Sequence, residues 1–255
     1  MLKEKVFICG KTGERMGFKE RTEIIFGKDG LKKLENSTVA VYGLGGVGAN
    51  AAVSLVRSGI GTIAVTDFDK VGESNLNRLV FGFRFNLNLD KTEVFIKTAK
   101  DINPDIKIVS STDFVRGSDA VLKLHEADFH IDAIDSLNPK VNLIIALLES
   151  GQKFISCMGT GGRIKPEMLE IADIWKTDVC SLSKFVRKRL RNRDVKKGFP
   201  VVFSKELPLD PIDNDKSYDD ENPGRIRKIQ GSTPFVPQAA GLMLASYAVR
   251  SLLDK

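Results

Sequence analysis

The chain has 255 residues, enough for one substantial α/β domain with insertions. Its hydrophobic fraction of 42% and charged fraction of 28% exclude a disordered or fibrous chain. The net charge is +6, yet Lys184 to Lys197 holds eight basic residues and one acid, a local +7, so the remainder sums to −1. One segment, not the whole surface, is built to meet a polyanion.

Three cysteines, Cys9, Cys157 and Cys180, are far apart and odd in number. They make neither a disulfide framework nor paired CxxC zinc knuckles, and a reducing cytoplasm is the expected location. Met1 to Arg21 is charged throughout and has no apolar core, so no secretory signal is expected. The longest apolar stretch, Phe235 to Leu253, is interrupted by Pro237, Gln238, Ser246 and Arg250 and is too short for about 30 Å of hydrocarbon. It reads as a buried or dimer-facing helix, with no membrane partner.

In chain order, residues 1–36 form a polar lead and a helix ending near Leu34. Thr38 to Tyr42 reads as a buried strand, followed by a glycine turn and a helix from Ala49 to Arg57. Thr62 to Thr66 is a second strand that closes on Asp67. A helix from Lys91 to Ile102 stops at Asn103-Pro104. Strands follow at Ile106 to Ser110 and at Phe129 to Ile134, then a helix over Val141 to Glu149 and a strand over Phe154 to Cys157. This alternation predicts an α/β, Rossmann-like, mostly parallel sheet covered by helices. Residues 37–162 form its nucleotide-binding core, 163–232 a basic helical insertion and a long loop, and 233–255 a C-terminal helix, all within one domain. Leu182, Phe185, Val186 and Leu190 give the basic helix one apolar face. Leu207 to Gly231, rich in Pro, Asp and Asn, reads as a long loop.

The chemistry starts with Gly43-Leu44-Gly45-Gly46-Val47-Gly48 between strand and helix. Such a turn lets backbone approach a phosphate at a helix N-terminus, where free N–H groups and the helix dipole favour anions. Asp67, at the end of the second strand, sits where an acid accepts ribose hydroxyls. Taken alone, these features describe an NAD-dependent oxidoreductase as well as an ATP enzyme, or a nucleotide-binding scaffold. Gly46, a fourth glycine, begins to separate them. Further on stand Asp69, Asn75, Asn77 and Arg78, then Lys91 opening a helix, then Asp135 and Ser136 after a hydrophobic strand. A lysine in a first helical turn opposes the helix dipole, so Lys91 needs another reason to be there.

In this order, GxGGxG, DxD (Asp67, Asp69), NxxR (Asn75, Arg78), a lysine and an acid after a strand, the sequence resembles the ThiF/MoeB/ubiquitin-activating superfamily. The resemblance implies that Gly43, Gly45, Gly46 and Gly48 line ATP and that Asp67 holds the ribose. Asp69, Asn77 and Ser136 complete the nucleotide site. Asn75, Arg78 and Lys91 contact the phosphates, and Asp135 binds Mg²⁺. Attack of a carboxylate on a phosphate brings anions together, so two cations and a hard metal suit that transition state. The family also reaches an N-terminal arginine into the partner's nucleotide site; Arg21 holds the matching place and implies a homodimer.

The zinc cysteines usual in carrier-protein members are missing. The second half instead resembles the tRNA threonylcarbamoyladenosine dehydratases, the TcdA or CsdL branch. The resemblance runs through RTEIIFG (Arg21 to Gly27), Ile131 to Ser136, Cys157 to Gly161, Ala172 to Thr177, Val201 to Glu206 and Gly231 to Pro237. It implies ATP-dependent activation of the threonyl carboxylate of the modified nucleoside, followed by ring closure with loss of water; family habit favours an acyl adenylate over an acyl phosphate. It also implies a tRNA partner, and Lys184, Arg187, Lys188 and Arg191 are the candidate phosphate-tracking residues. The alternative reading is adenylation of the C-terminus of a ubiquitin-like or sulfur-carrier protein, and a sulfur-relay protein is held open as a partner. Cys180, before the basic helix, reads as a packing or incidental thiol with no histidine nearby, the alternative being a thiol pKa lowered by that charge. His125 and His130 read as structural.

Overall fold

The computed structural model describes residues 17–112, 124–210 and 230–255, together with the backbone of 217–218 and 227–228. The candidate loop Asp210–Glu221 therefore lies almost wholly outside the described residues.

Helix α1 (Glu20–Glu35) leads, in two pieces joined at Gly27, where φ is +77°. Then come β1 (Thr38–Tyr42), α2 (Gly48–Arg57), β2 (Thr62–Thr66), α3 (Lys91–Ile102), β3 (Lys107–Ser111), β4 (Phe129–Asp132), α4 (Leu137–Glu149) and β5 (Phe154–Cys157). The second half adds β6 (Leu169–Asp173), α5 (Ser181–Arg191), β7 (Pro200–Ser204), a small hairpin of β8 (Ser217–Tyr218) with β9 (Arg227–Lys228), and α6 (Phe235–Leu252). The main sheet runs β3-β2-β1-β4-β5-β7-β6, parallel throughout except for the edge strand β6, which pairs antiparallel with β7.

The five inner strands β2, β1, β4, β5 and β7 are almost wholly buried because helices cover both faces. On one face, Leu34 of α1, Ala52 and Val56 of α2, Phe95 of α3 and Leu244 and Ala248 of α6 pack on the sheet. On the other, Leu143 and Ile144 of α4 meet Val186 and Leu190 of α5. Among the described residues no helix is long and apolar enough to cross a membrane; the Phe235 stretch is the inner helix α6.

Two boundaries differ from the sequence expectation for local reasons. Strand β4 ends at Asp132 instead of Ile134, because the Asp132 carboxylate accepts the Ile134 N–H at 3.0 Å and turns the chain. Helix α4 begins at Leu137, a turn earlier than Val141, because Pro139 falls in its first turn, where a missing N–H costs nothing. Strands β6 and β7 were not expected. They lie in the half where no strand–helix alternation marks them, and β6 shows only a short mixed pattern.

The sheet centre contains an aromatic and imidazole cluster. His130 Nδ1 lies 3.3 Å from the Tyr42 hydroxyl, which also accepts the His125 N–H at 3.1 Å. Both histidines are structural, as expected. Burial pushes the Tyr42 hydroxyl up to about 12. Burial also lowers both imidazoles below the ordinary 6.5, and for His130 the neighbouring His125 adds to it.

The native histidines thus stay neutral where the unfolded chain takes up protons. Stability present above pH 6.5 is lost as the pH falls from there toward the lowered native values. Urea midpoints should be level down to about pH 7 and fall steadily toward about pH 5.5, with a shallower fall in His130→Asn. A level midpoint across that window would refute the neutral assignment.

Candidate active site

The cleft opens at the carboxyl ends of β1 and β4, where the chain departs in opposite directions along the sheet, the usual ligand crevice of such folds. Gly43 makes the turn with φ +91°, and a Cβ there would lie 2.9 Å from the Ala133 carbonyl oxygen. Gly48 is tighter: its Cβ would meet the Gly43 carbonyl oxygen far inside contact distance, so only glycine fits at the start of α2. Gly45 faces open space, and Gly46 is covered by the stem of Arg78.

The resulting cavity has a volume of about 240 Å³. Gly43, Gly45, Gly46, Asp67, Asp69 and Asn75 contribute to its wall, as do Arg78, Lys91, Asp135 and Ser136. Ten expected residues thus converge from five separate segments. Three others are placed differently. Gly48 lies behind the turn, as a packing residue. Asn77 turns away, donating to the Ser232 carbonyl at 2.9 Å and accepting from Arg78 at 2.9 Å, so it positions Arg78 and the 232 segment. Arg21 is exposed on α1 and outside this chain's own cleft.

Lys91 is only 6% exposed. Its ammonium lies 2.9 Å from Asp69 and 3.7 Å from Asp67, which answers why a lysine opens α3. Asp67 in turn accepts the N–H groups of Leu44 and Asp69, tying β2 to the glycine turn. Burial raises its pKa, opposed by the Lys91 charge and by those two N–H groups, with the Asp69 charge adding to the rise. Each carboxylate oxygen keeps acceptor capacity for a hydroxyl. Arg78 is anchored by the Ser74 carbonyl at 2.9 Å. Asp135 is exposed at the cleft and accepts from Ser136 at 3.3 Å. Among the described residues no cluster of three potential protein ligands forms a metal cage. A lone carboxylate facing a phosphate site fits Mg²⁺, which keeps waters and takes phosphate oxygens.

Sequence reasoning missed Phe68, Thr160 and Ser232 in the cleft wall. It also missed Lys140, fully buried with Asp132 at 2.6 Å, while Ser156 donates to the same carboxylate oxygen at 2.6 Å. This triad holds α4, β4 and β5 together immediately behind Asp135.

On α5, Lys184, Lys188 and Arg191 are exposed, and Arg189 joins them. Arg187 does not: its guanidinium turns inward to Thr177 and the Ile174 carbonyl, so it closes a loop instead of facing a polyanion. Arg191 lies over the Trp175 ring, 5.2 Å from its centre. Cys180 is buried. Burial raises its thiol pKa, but hydrogen bonds with Ser183 and Gly159 and the Arg163 charge outweigh this and lower it. The basic side chains of α5 are not the cause, although Ser183 belongs to the first turn of that helix.

A model of the ThiF family matches residues 20–255. The chain is 35% identical over 237 residues to the tRNA threonylcarbamoyladenosine dehydratase of Bacillus subtilis (strain 168), covering 91% of this chain and 93% of that one. To the enzyme of that name from Escherichia coli (strain K12) it is 30% identical, covering 92% of each. The crystal structure of the E. coli dehydratase TcdA in complex with ATP superposes with a TM-score of 0.78 at 28% identity, covering 92% of this chain and 93% of that chain.

The triad yields a stability prediction. Lys140→Met leaves a buried carboxylate uncompensated and should cost about 3–5 kcal/mol in urea unfolding, whereas Asp132→Leu combined with Lys140→Met should recover most of it. A single-variant loss below about 1 kcal/mol would show that the pair is not sealed from water.

Proposed function

Because the chain belongs to the ThiF family, we propose that it binds ATP in the β1–β4 cleft and dehydrates threonylcarbamoyladenosine in tRNA. The observation that carries this reading is the convergence of Arg78, Lys91 and Asp135 on one cavity beside the glycine turn. A hydride-transfer enzyme has no use for that set.

The glycine turn and the N-terminus of α2 receive the phosphates, and Asp67 takes the ribose hydroxyls. Arg78 and Lys91 neutralise charge as a carboxylate oxygen of the nucleoside bonds to the α-phosphorus and pyrophosphate leaves. Asp135 is the residue that would hold Mg²⁺, which would supply further neutralisation of phosphate charge. The acyl carbon is then electrophilic. An internal nucleophile of the same modification adds to it, AMP leaves with the carboxyl oxygen, and the nucleoside has lost one water. Nothing covalent is asked of the protein beyond placement.

The exposed cations Lys184, Lys188, Arg189 and Arg191 on α5 contact the tRNA backbone. Arg21, exposed on α1 beside exposed Ile24 and Ile25, completes the cleft of a partner subunit in a homodimer. A cytoplasmic location fits an enzyme that takes ATP and tRNA. Adenylation of a carrier protein uses the same cleft, but it leaves the basic helix without a role.

Incubation with ATP, Mg²⁺ and bacterial tRNA should remove one water from threonylcarbamoyladenosine, read by nucleoside mass spectrometry with AMP release. AMP without change in the tRNA would point to a carrier protein instead. Asp135→Ala should lower turnover by a factor on the order of 100 or more with the fold retained; full activity would sink the metal assignment.

Reversing charge at Lys184, Lys188 and Arg191 should weaken tRNA binding and flatten its salt dependence. Unchanged affinity and slope would leave α5 as a solvated face.

Arg21→Ala and Asp135→Ala should each be inactive alone and regain about a quarter of wild-type activity after subunit exchange, since a mixed dimer keeps one intact site. Absence of recovery between exchanging subunits would refute the shared site.

A further inference from the structure

A second cavity of about 390 Å³ opens beside the nucleotide cleft, and Arg78, Asp135, Thr160 and Ser232 belong to both walls. Its own lining comes from the segment after β5, from Ser181 and Leu182 in the first turn of α5, and from Phe185 and Gln230. Arg163 lines it as well, though it is only 2% exposed. Its Nε donates to the Glu206 carbonyl at 3.0 Å, and Nη1 to the carbonyls of Gly159 at 2.8 Å and Gly161 at 3.2 Å. Nη2 is buried and has no partner.

All these acceptors are neutral. The Glu206 carboxylate is engaged elsewhere, by the backbone N–H groups of Ile164 and Lys165 at 2.9–3.2 Å. Among the described residues Arg163 makes no ion pair. A guanidinium sealed from water with two unused N–H groups is costly by itself, and it is suited to a planar anion brought by a ligand. The positive end of α5 faces the same space.

We propose that this cavity seats the acyl arm of the modified adenosine, with Arg163 Nη2 bound to one oxygen of its carboxylate. The inference rests on the dehydratase reading above. It leaves the other carboxylate oxygen free for the α-phosphorus in the adjoining cleft, across the wall shared at Arg78 and Asp135. After activation the Arg163-bound oxygen is the acyl carbonyl. When the internal nucleophile adds, the carbonyl electron pair moves onto that oxygen. Its return expels AMP, and the nucleophile's proton leaves to water. Arg163 thus meets charge that grows during ring closure, where a fixed donor is most effective. Phe185, 51% exposed at the rim and on the same helix as the tRNA-facing cations, offers its ring to the purine.

The test compares wild type with Arg163→Gln and Arg163→Lys, using tRNA bearing either the natural carboxylate or its neutral carboxamide. Wild type should bind the carboxylate form more tightly. Arg163→Gln should lose that preference and fall on the order of 10- to 100-fold in kcat/KM, with ATP affinity unchanged, and Arg163→Lys should keep part of both. Leu182→Trp, which fills the cavity from α5 and keeps the Arg163 side chain, should block tRNA turnover while sparing ATP binding. It keeps the question open should Arg163 variants fail to fold. Retained preference in Arg163→Gln, or full turnover in Leu182→Trp, would overturn the inference and leave the dehydratase reading standing. Wild type that does not dehydrate the nucleoside at all would remove that reading and the inference with it.

Discussion

Two backbone segments touch where β1 and β4 leave the sheet, and the site exists because of that contact. A Cβ at Gly43 would stand 2.9 Å from the Ala133 carbonyl oxygen, and Gly48 leaves no room for one beside Gly43. With any side chain at these points the turn after β1 must lift away from the turn after β4. The free N–H groups of the glycine turn and the carboxylate of Asp135 then no longer share one cavity. A sheet of parallel strands with opposite exits creates the crevice; the absence of two Cβ atoms keeps it narrow, which the proposed grip on a phosphate chain requires.

Two lysine–carboxylate centres brace this contact, and they differ in what they can do. Lys140 and Asp132 are both fully buried, with Ser156 completing the carboxylate's partners. That centre is sealed, so it can only hold β4, β5 and α4 in register. Lys91 is buried as well, yet its nearer partner Asp69 has a side chain 52% exposed and the ammonium lines the cleft. Its charge is balanced at rest but accessible to a ligand. Structure and chemistry are thus divided between two similar pairs by burial alone.

The first half of the fold is legible because strand and helix periods alternate there with glycine and proline marks. The bounds of β1, β2, α3 and β5 follow from Thr38, Thr62, Pro104 and Cys157 almost to the residue. The second half is not: β6 and β7 are as long as β1 and β2, but one runs antiparallel and a helix separates them in sequence. For the site, residue types with a fixed order, such as the glycines, Asp67 and Arg78, can be read from the chain. Direction cannot. Asn77 and Arg187 have suitable side chains, but Asn77 points to Ser232 and Arg187 to Thr177. Lys140 follows a proline one turn into a helix and carries no sign in sequence that it faces a buried aspartate.

The same distinction of direction explains how one basic segment can serve two scales of recognition. On α5, Val186 and Leu190 fix the inner face. That leaves Lys184, Lys188, Arg189 and Arg191 outward, where the proposed function has them follow a phosphate backbone without reading bases. At the N-terminal end of the same helix, Ser181, Leu182 and Phe185 border the cavity that Arg163 lines. A helix is rigid over 11 residues, so a backbone held along its outer face carries the adjoining nucleotide to a fixed distance from its first turn. In the proposed function, grip on the polymer and placement of one nucleoside are then set by a single element.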